Sequence, residues 1–273
     1  MAAMIHPTAI VDRHTQIGDN VAIGAYTVIE GDVVLGDGCE IGPHVMIGEH
    51  TRIGKECRLF NGACVGLIPQ DLKFRGETTF LRIGDRTTIR EFCTLNRGTA
   101  ASGETVIGSG CLLLAYCHVG HDCVLGDHVV ISNNLAMAGH VQVGNHVTIG
   151  GLCGFHQFVR IGDYSMIGAF SFVTQDVMPF ALTAFDPVRV VDINKVKLER
   201  CNFAPDRVQN IKRAYRILFR QHLELDESIA RLDAEFPGSD DIRQIVAFAR
   251  NSTRGILRMR NAPPKGAAPA PRA

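Results

Sequence analysis

From Ile5 onward the chain returns to a large aliphatic side chain every sixth residue: Ile5, Val11, Ile17, Ile23, Ile29, Leu35, Ile41, Ile47, Ile53, Leu59 and Val65. The phase resumes at Ile83, Ile89 and Leu95, and then runs from Ile107 to Val173; of the 29 six-step positions from 5 to 173, only Asp71, Glu77 and Ala101 are not large and apolar. A period of six fits neither the 3.6 of a helix nor the twofold alternation of a long strand. It fits a solenoid of short strands, in which three hexads make one coil and residues 18 apart stack at about 4.8 Å. The aliphatic residues then point inward, and the glycine that often follows them (Gly18, Gly24, Gly36, Gly42) is expected to supply the backbone freedom of a corner. The interruptions are expected to be loops, near residues 66–80 and 97–105.

The same frame sorts the cysteines and histidines. Cys39, Cys57, Cys93, Cys111, Cys117, Cys123 and Cys153 share the slot two before the aliphatic, which predicts compact core fillers. His14, His44, His50, His128 and His146 share another phase, expected to project outward near a corner. The dense stretch Tyr116–Cys123, with two histidines, an aspartate and two cysteines, therefore reads mostly as coil.

After Val173 the period fails. Residues 176–200, with Pro179 and Pro187, read as a linker, followed by helices: one starting at Pro205, one over 227–236, and one over 240–251 with Ser239 as its N-cap. The expected division is a β-solenoid over 1–187, a C-terminal α-helical domain over 188–260 that caps the coil, and a disordered tail over 261–273. No stretch approaches the roughly 20 apolar residues of a membrane span, and the start lacks a signal-peptide pattern, so no membrane insertion and a cytoplasmic location are expected. Nine cysteines without an export signal read as reduced thiols. The formal net charge is zero, with no sign of a nucleic-acid partner, yet residues 188–222 hold nine Lys and Arg against three acidic residues. That local excess suits an acidic partner.

His118, His121 and His156 leave the surface phase. Steps of 18 carry His121 to Gly139 and Gln157, and Asp122 to His140, which predicts one patch on successive coils. The loop around Pro69-Gln70-Asp71-Leu72-Lys73 could reach over it; no chemistry is assigned to the second break, residues 97–104.

The chain resembles the acyl-carrier-protein-dependent UDP-N-acetylglucosamine O-acyltransferases that open lipid A synthesis. The resemblance covers roughly residues 4–258 and rests on the hexapeptides, Gln70-Asp71-Leu72-Lys73, His118-Val119-Gly120-His121-Asp122-Cys123, Leu135 to Val141, His156-Gln157-Phe158, Gln175-Asp176-Val177 and Ser252-Thr253-Arg254-Gly255. It implies a mainly β fold, a left-handed parallel β-helix with a C-terminal α-helical domain, assembled as a homotrimer with sites at subunit interfaces. It implies direct transfer of a 3-hydroxyacyl group from the phosphopantetheine thioester of acyl carrier protein to the 3-hydroxyl of the sugar nucleotide, with no further cofactor and no metal. His121 would be the general base, Asp122 its orienting partner, and Gly139 the oxyanion donor. Gln70, Asp71, Lys73, His118, His140, His156 and Gln157 would line the substrate cleft, with Asn194 and Arg200 at the nucleotide. Met166 and Ala169 would set acyl length; the methyl of Ala169, where long-chain members have glycine, would favour a shorter chain. The basic residues of 195–220 would dock acyl carrier protein, which is strongly acidic.

The chemistry stands on its own terms. A sugar hydroxyl is a poor nucleophile, and an imidazole, ordinarily near pKa ~6.5, can take its proton for a gain of about 10²–10⁴. This chain departs from the family at Ala184-Phe185-Asp186-Pro187 and at Asn194 to Cys201, where Lys197 and Cys201 replace a glycine and an arginine. A 3-amino sugar nucleotide, giving an amide product, therefore stays open as acceptor. A zinc carbonic anhydrase-like solenoid and a non-enzymatic hexapeptide binding protein are the remaining alternatives; the first would need histidine ligands that are spaced unlike His118 and His121.

Overall fold

The structure, a computed structural model, describes residues 3–221 and 223–259. The tail expected over 261–273 lies outside them. The solenoid is built from two- to four-residue strands, and the described strands fall into sheets of eleven, nine and eight. The first face starts at Met4–Ile5, the second at Ile10–Val11 and the third at Gln16–Ile17. Each pairs in parallel with the strand 18 residues on: Ile5 with Ile23, Val11 with Ile29, and Ile17 with Leu35. From Ile23 to Val173 the aliphatic of each hexad is buried, and the seven in-phase cysteines are buried beside them. None of the nine cysteines is in a disulfide.

The corners differ from the expectation. At most corners left-handed backbone falls on the third residue after the aliphatic, as at Tyr26 (φ 58°), His44 (φ 56°), Asp122 (φ 60°) and His140 (φ 61°), and not on the glycine that follows the aliphatic. The glycine is needed for approach: a Cβ on Gly36 would lie 2.6 Å from the backbone carbon of Gly54 on the next coil. Left-handed backbone costs a non-glycine residue roughly 1–2 kcal/mol. Ring stacking between coils offsets it, with His128 on His146 at 4.8 Å, His146 on Tyr164 at 4.8 Å and His140 on Phe158 at 4.7 Å. Of the five histidines expected to project outward, His14, His44 and His128 are exposed, whereas His50 and His146 are half-buried.

The two breaks extend successive coils at the same edge, between the second and third faces. The first follows Cys64–Leu67 and ends at Phe80–Ile83; the second follows Thr94–Asn96 and ends at Glu104–Ile107. The pairing offset accordingly grows to 30 (Cys64 with Thr94) and then 24 (Thr94 with His118), before returning to 18 (His118 with Ala136).

Residues 176–200 are not a linker. Ala181–Ala184 continues the first face, Leu182 pairing in parallel with Met166, and Arg189–Ile193 folds back on it antiparallel. The division expected after residue 187 runs through this hairpin. Helix α1 (Lys195–Arg200) follows, then α2 (Pro205–Arg220), α3 (Leu225–Glu235) and α4 (Asp240–Arg250). Pro205 takes the first position of α2, and the Ser239 hydroxyl caps α4 by accepting from the Ile242 N–H at 3.4 Å. Tyr215 of α2 is buried with its hydroxyl donating to the Pro179 carbonyl, so the helices seal the last coil.

Candidate active site

The edge that carries both breaks also carries the histidine cluster. On three successive coils the chain turns there at His121-Asp122, at Gly139-His140 and at Gln157-Phe158, because each pair stands 18 residues beyond the last. The His140 N–H donates to the His121 carbonyl at 2.9 Å and locks two of these corners together. A cavity of about 550 Å³ opens here. Gln70, Asp71 and Lys73 line it from the first loop, and His118, His121, Gly139 and Gln157 from the coil.

Asp122 is the electrostatic centre of the cluster, and its side chain is fully buried. The Nδ1 of His121 lies 2.7 Å from Oδ2, and the Nε2 of His140 is 3.4 Å from the same oxygen. Thr99 donates its N–H to Oδ1 at 2.9 Å and its hydroxyl to Oδ2 at 2.7 Å, and the Ser102 hydroxyl also meets Oδ1. Burial would push the carboxyl up, but the hydrogen bonds from Ser102, His121 and Thr99 more than offset it and hold the pKa at about 2. An ionised Asp122 keeps a proton on Nδ1 of His121 and leaves Nε2 as the free base. The two rings meet edge to face, His121 and His140 at 5.2 Å and 89°.

Gly139 belongs to this geometry for a steric reason. A Cβ there would lie 2.5 Å from Cε1 and 2.7 Å from Nε2 of His121. Its N–H has no acceptor among the described residues, so it is free to meet an oxygen placed against the imidazole. The Nδ1 of His118 is 2.8 Å from the Thr94 hydroxyl, and burial, with the charge of His121 nearby, pushes its pKa down.

Not every expected site residue is here. His156 is exposed, its Nδ1 3.1 Å from the Gln157 carbonyl, and it lies outside the cavity lining. Asn194 caps α1 at a different edge, between the third and first faces, where its Nδ2 donates to the Tyr164 carbonyl at 2.8 Å. Arg200, at the end of α1, is exposed. Met166 is on the first face and Ala169 at the edge between first and second. Within one chain these candidates thus occupy three edges of the prism.

Sequence reasoning missed Asn96, which lines the cavity, and Thr99 and Ser102, which hold Asp122. The signal was present: the second break spans one whole extra hexad, which puts it on the coil directly beneath His121. His121, Asp122 and His140 bring possible ligand atoms within 4.8 Å of one another. Around the carboxylate, however, Thr99 and Ser102 both donate, a cradle suited to compensating a negative charge and not to leaving it for a cation. A cysteine nucleophile is equally out of place, since burial pushes the Cys123 thiol up to about 12.

Comparison with known proteins places this architecture. Residues 14–49, 104–136 and 140–175 match the bacterial transferase hexapeptide repeat, and residues 176–257 match domain 2 of UDP N-acetylglucosamine O-acyltransferase. The acyl-carrier-protein–UDP-N-acetylglucosamine O-acyltransferase of Paracidovorax citrulli is 49% identical over 259 residues, 93% of this chain and 99% of that protein. Its namesake from Myxococcus xanthus is 43% identical over 94% of this chain and 100% of that one. The crystal structure of the UDP-N-acetylglucosamine O-acyltransferase of Moraxella catarrhalis superposes with a TM-score of 0.90 at 40% identity, covering 93% of this chain and 99% of that chain.

Proposed function

This chain belongs to the acyl-carrier-protein–UDP-N-acetylglucosamine O-acyltransferases and is an enzyme of that type; from that premise we propose that it transfers a 3-hydroxyacyl group to the 3-hydroxyl of UDP-N-acetylglucosamine in lipid A synthesis, with His121 as general base. The observation that carries the mechanism is the pairing of His121 Nδ1 with a buried, ionised Asp122 beside a free Gly139 N–H. Nε2 of His121 takes the proton of the sugar hydroxyl as its oxygen attacks the thioester carbonyl. The Gly139 N–H stabilises the tetrahedral oxyanion, a contribution of about 10²–10³. Collapse expels the thiolate of the phosphopantetheine arm, to which the imidazolium returns the proton. The donor arrives activated, so the chain itself supplies no covalent intermediate and needs no further cofactor.

Gln70, Asp71 and Lys73 from the loop and Asn96, His118 and Gln157 from the coil line the cleft with polar groups beside His121. The nucleotide contacts Asn194 and Arg200, and the acyl-length residues Met166 and Ala169, sit at other edges, so one substrate meets all of them only where copies of the chain pack together. This supports a homotrimer with shared sites. The edge between first and second faces supplies an apolar seam for it, with Tyr26, Phe92, Tyr116, Leu152 and Phe170 exposed in line. Of the basic residues in 195–220, Lys197, Arg200, Lys212 and Arg216 make no side-chain hydrogen bond or ion pair among the described residues, whereas Lys195 pairs with Glu199, Arg207 with Asp241 and Arg213 with Glu235, and Arg220 meets the Met259 sulfur. The unpaired four form the docking surface for acyl carrier protein. Among the described residues no helix is long and apolar enough to cross a membrane.

The test is incubation of the protein with a panel of 3-hydroxyacyl carrier proteins and either UDP-N-acetylglucosamine or its 3-amino analogue, with products read by mass. An O-acylated product, slowed about 10²-fold or more in His121→Ala, is expected. Turnover of the amine alone would move the acceptor to the amino sugar, and an unimpaired His121→Ala would remove the general-base assignment.

A further inference from the structure

We propose that Thr99, supported by Ser102, is a positioning residue of the reaction: the second break of the solenoid is a cradle that aims the Asp122 carboxylate at His121. The inference rests on the His121–Asp122 reading of the preceding subsection and adds the part of the chain that makes that pair rigid.

Asp122 sits on a left-handed corner and could turn its carboxylate in more than one direction. Its backbone is held from one side by the Thr105 hydroxyl, which accepts the Asp122 N–H at 2.8 Å. The carboxylate is held from the other by residues of the extra hexad. Thr99 contacts both oxygens, through its N–H at 2.9 Å and its hydroxyl at 2.7 Å. The direction of that hydroxyl proton follows from its second contact: the Thr99 Oγ1 accepts the Ala101 N–H at 3.2 Å, so the remaining proton is the one given to Asp122. Oδ2 therefore receives the Thr99 hydroxyl and His121 Nδ1 together, and the threonine fixes where the imidazole must lie.

The cradle is itself stiff. A Cβ on Gly98 would come within 2.6 Å of the Glu104 backbone, so the loop is pinched shut at its neck, and the Gly103 N–H closes it on the Thr99 carbonyl at 2.8 Å. Thr99 is buried, although it belongs to a loop. A surface excursion would need none of this. Placed one coil below His121 by the 24-residue offset, the hexad delivers its donors to the face of Asp122 that the imidazole leaves open.

The experiment measures steady-state kinetics and thermal unfolding for Thr99→Val, Thr99→Ser and Ser102→Ala alongside His121→Ala, using acyl carrier protein thioester and UDP-N-acetylglucosamine. Thr99→Val is expected to lower kcat about tenfold or more, with KM for both substrates within about twofold and an unfolding midpoint lowered by a few degrees, as the loss of one buried hydrogen bond requires. Thr99→Ser, which keeps the hydroxyl and the N–H, is expected to recover most of the loss; Ser102→Ala is expected to lower kcat severalfold. Parent-like kcat in Thr99→Val, or no recovery in Thr99→Ser, overturns the inference. Should Thr99→Val not fold, the exposed Ser102→Ala decides, and an unchanged kcat overturns it. A His121→Ala protein as fast as the parent would instead strike the reading beneath, which keeps the two failures distinct.

Discussion

Asp122 joins the chemistry of the protein to its stability. Its folded pKa of about 2 lies below the ordinary 3.8, so the carboxylate stabilises the fold above about pH 4, and that contribution drains away as pH falls from about 4 to about 2. The shift corresponds to about 2 kcal/mol. Denaturant unfolding of the parent and Asp122→Asn across this range is expected to show the parent's advantage shrinking with acid; a constant advantage would mean that charge is not what the cradle holds. Gly139 tests the other side of the imidazole. Gly139→Ala is expected to fold with little loss, because the clash is with a movable ring, and to lower kcat about 10²-fold as His121 is displaced. The sequence placed His121, Asp122 and Gly139 in one patch by counting in eighteens. It did not reveal Thr99, whose identity is ordinary for a loop and whose role depends on which way one hydroxyl turns.

At the scale of the strand and corner, glycine and the left-handed residue divide the work. The glycine after the aliphatic lets one coil lie on the next, whereas the residue two places later takes the positive φ and, at corners such as His128, His146 and Tyr164, carries a stacking ring. Gly36→Ala drives a Cβ against the backbone of Gly54, which cannot yield without shifting a coil, and is expected to destabilise by ~1–3 kcal/mol. Gly31→Ala, whose nearest neighbour would be the Asp12 carboxylate at 3.5 Å, is expected to change stability by less than about 0.5 kcal/mol. Equal effects in thermal unfolding would refute the close-approach explanation. The hairpin of Ala181–Ala184 and Arg189–Ile193 was hidden from the sequence because its prolines break the six-residue phase and its strands are too short to declare a period of two.

For the molecule as a whole, the exposed seam from Tyr26 to Phe170 and the scattering of candidate residues over three edges point the same way. The protein is expected to run in solution at three times the chain mass, and Phe170→Asp to weaken that assembly and activity together, as light scattering and product formation would record. A fully active monomer would refute the shared site. Docking of acyl carrier protein on Lys197, Arg200, Lys212 and Arg216 is expected to raise its KM as ionic strength rises, with kcat little changed. Salt independence would place the docking surface elsewhere.

The sequence by itself determined the solenoid, its 18-residue coil, the inward aliphatic and cysteine slots, and the edge where histidines gather, because a strict six-residue period leaves each side chain one direction to face. Only the tertiary structure decided which breaks share that edge, which donors reach Asp122, and which candidates lie apart from the cavity. Those outcomes depend on how far each extra hexad reaches over its neighbouring coil and on the rotation of single side chains, and a one-dimensional period carries neither.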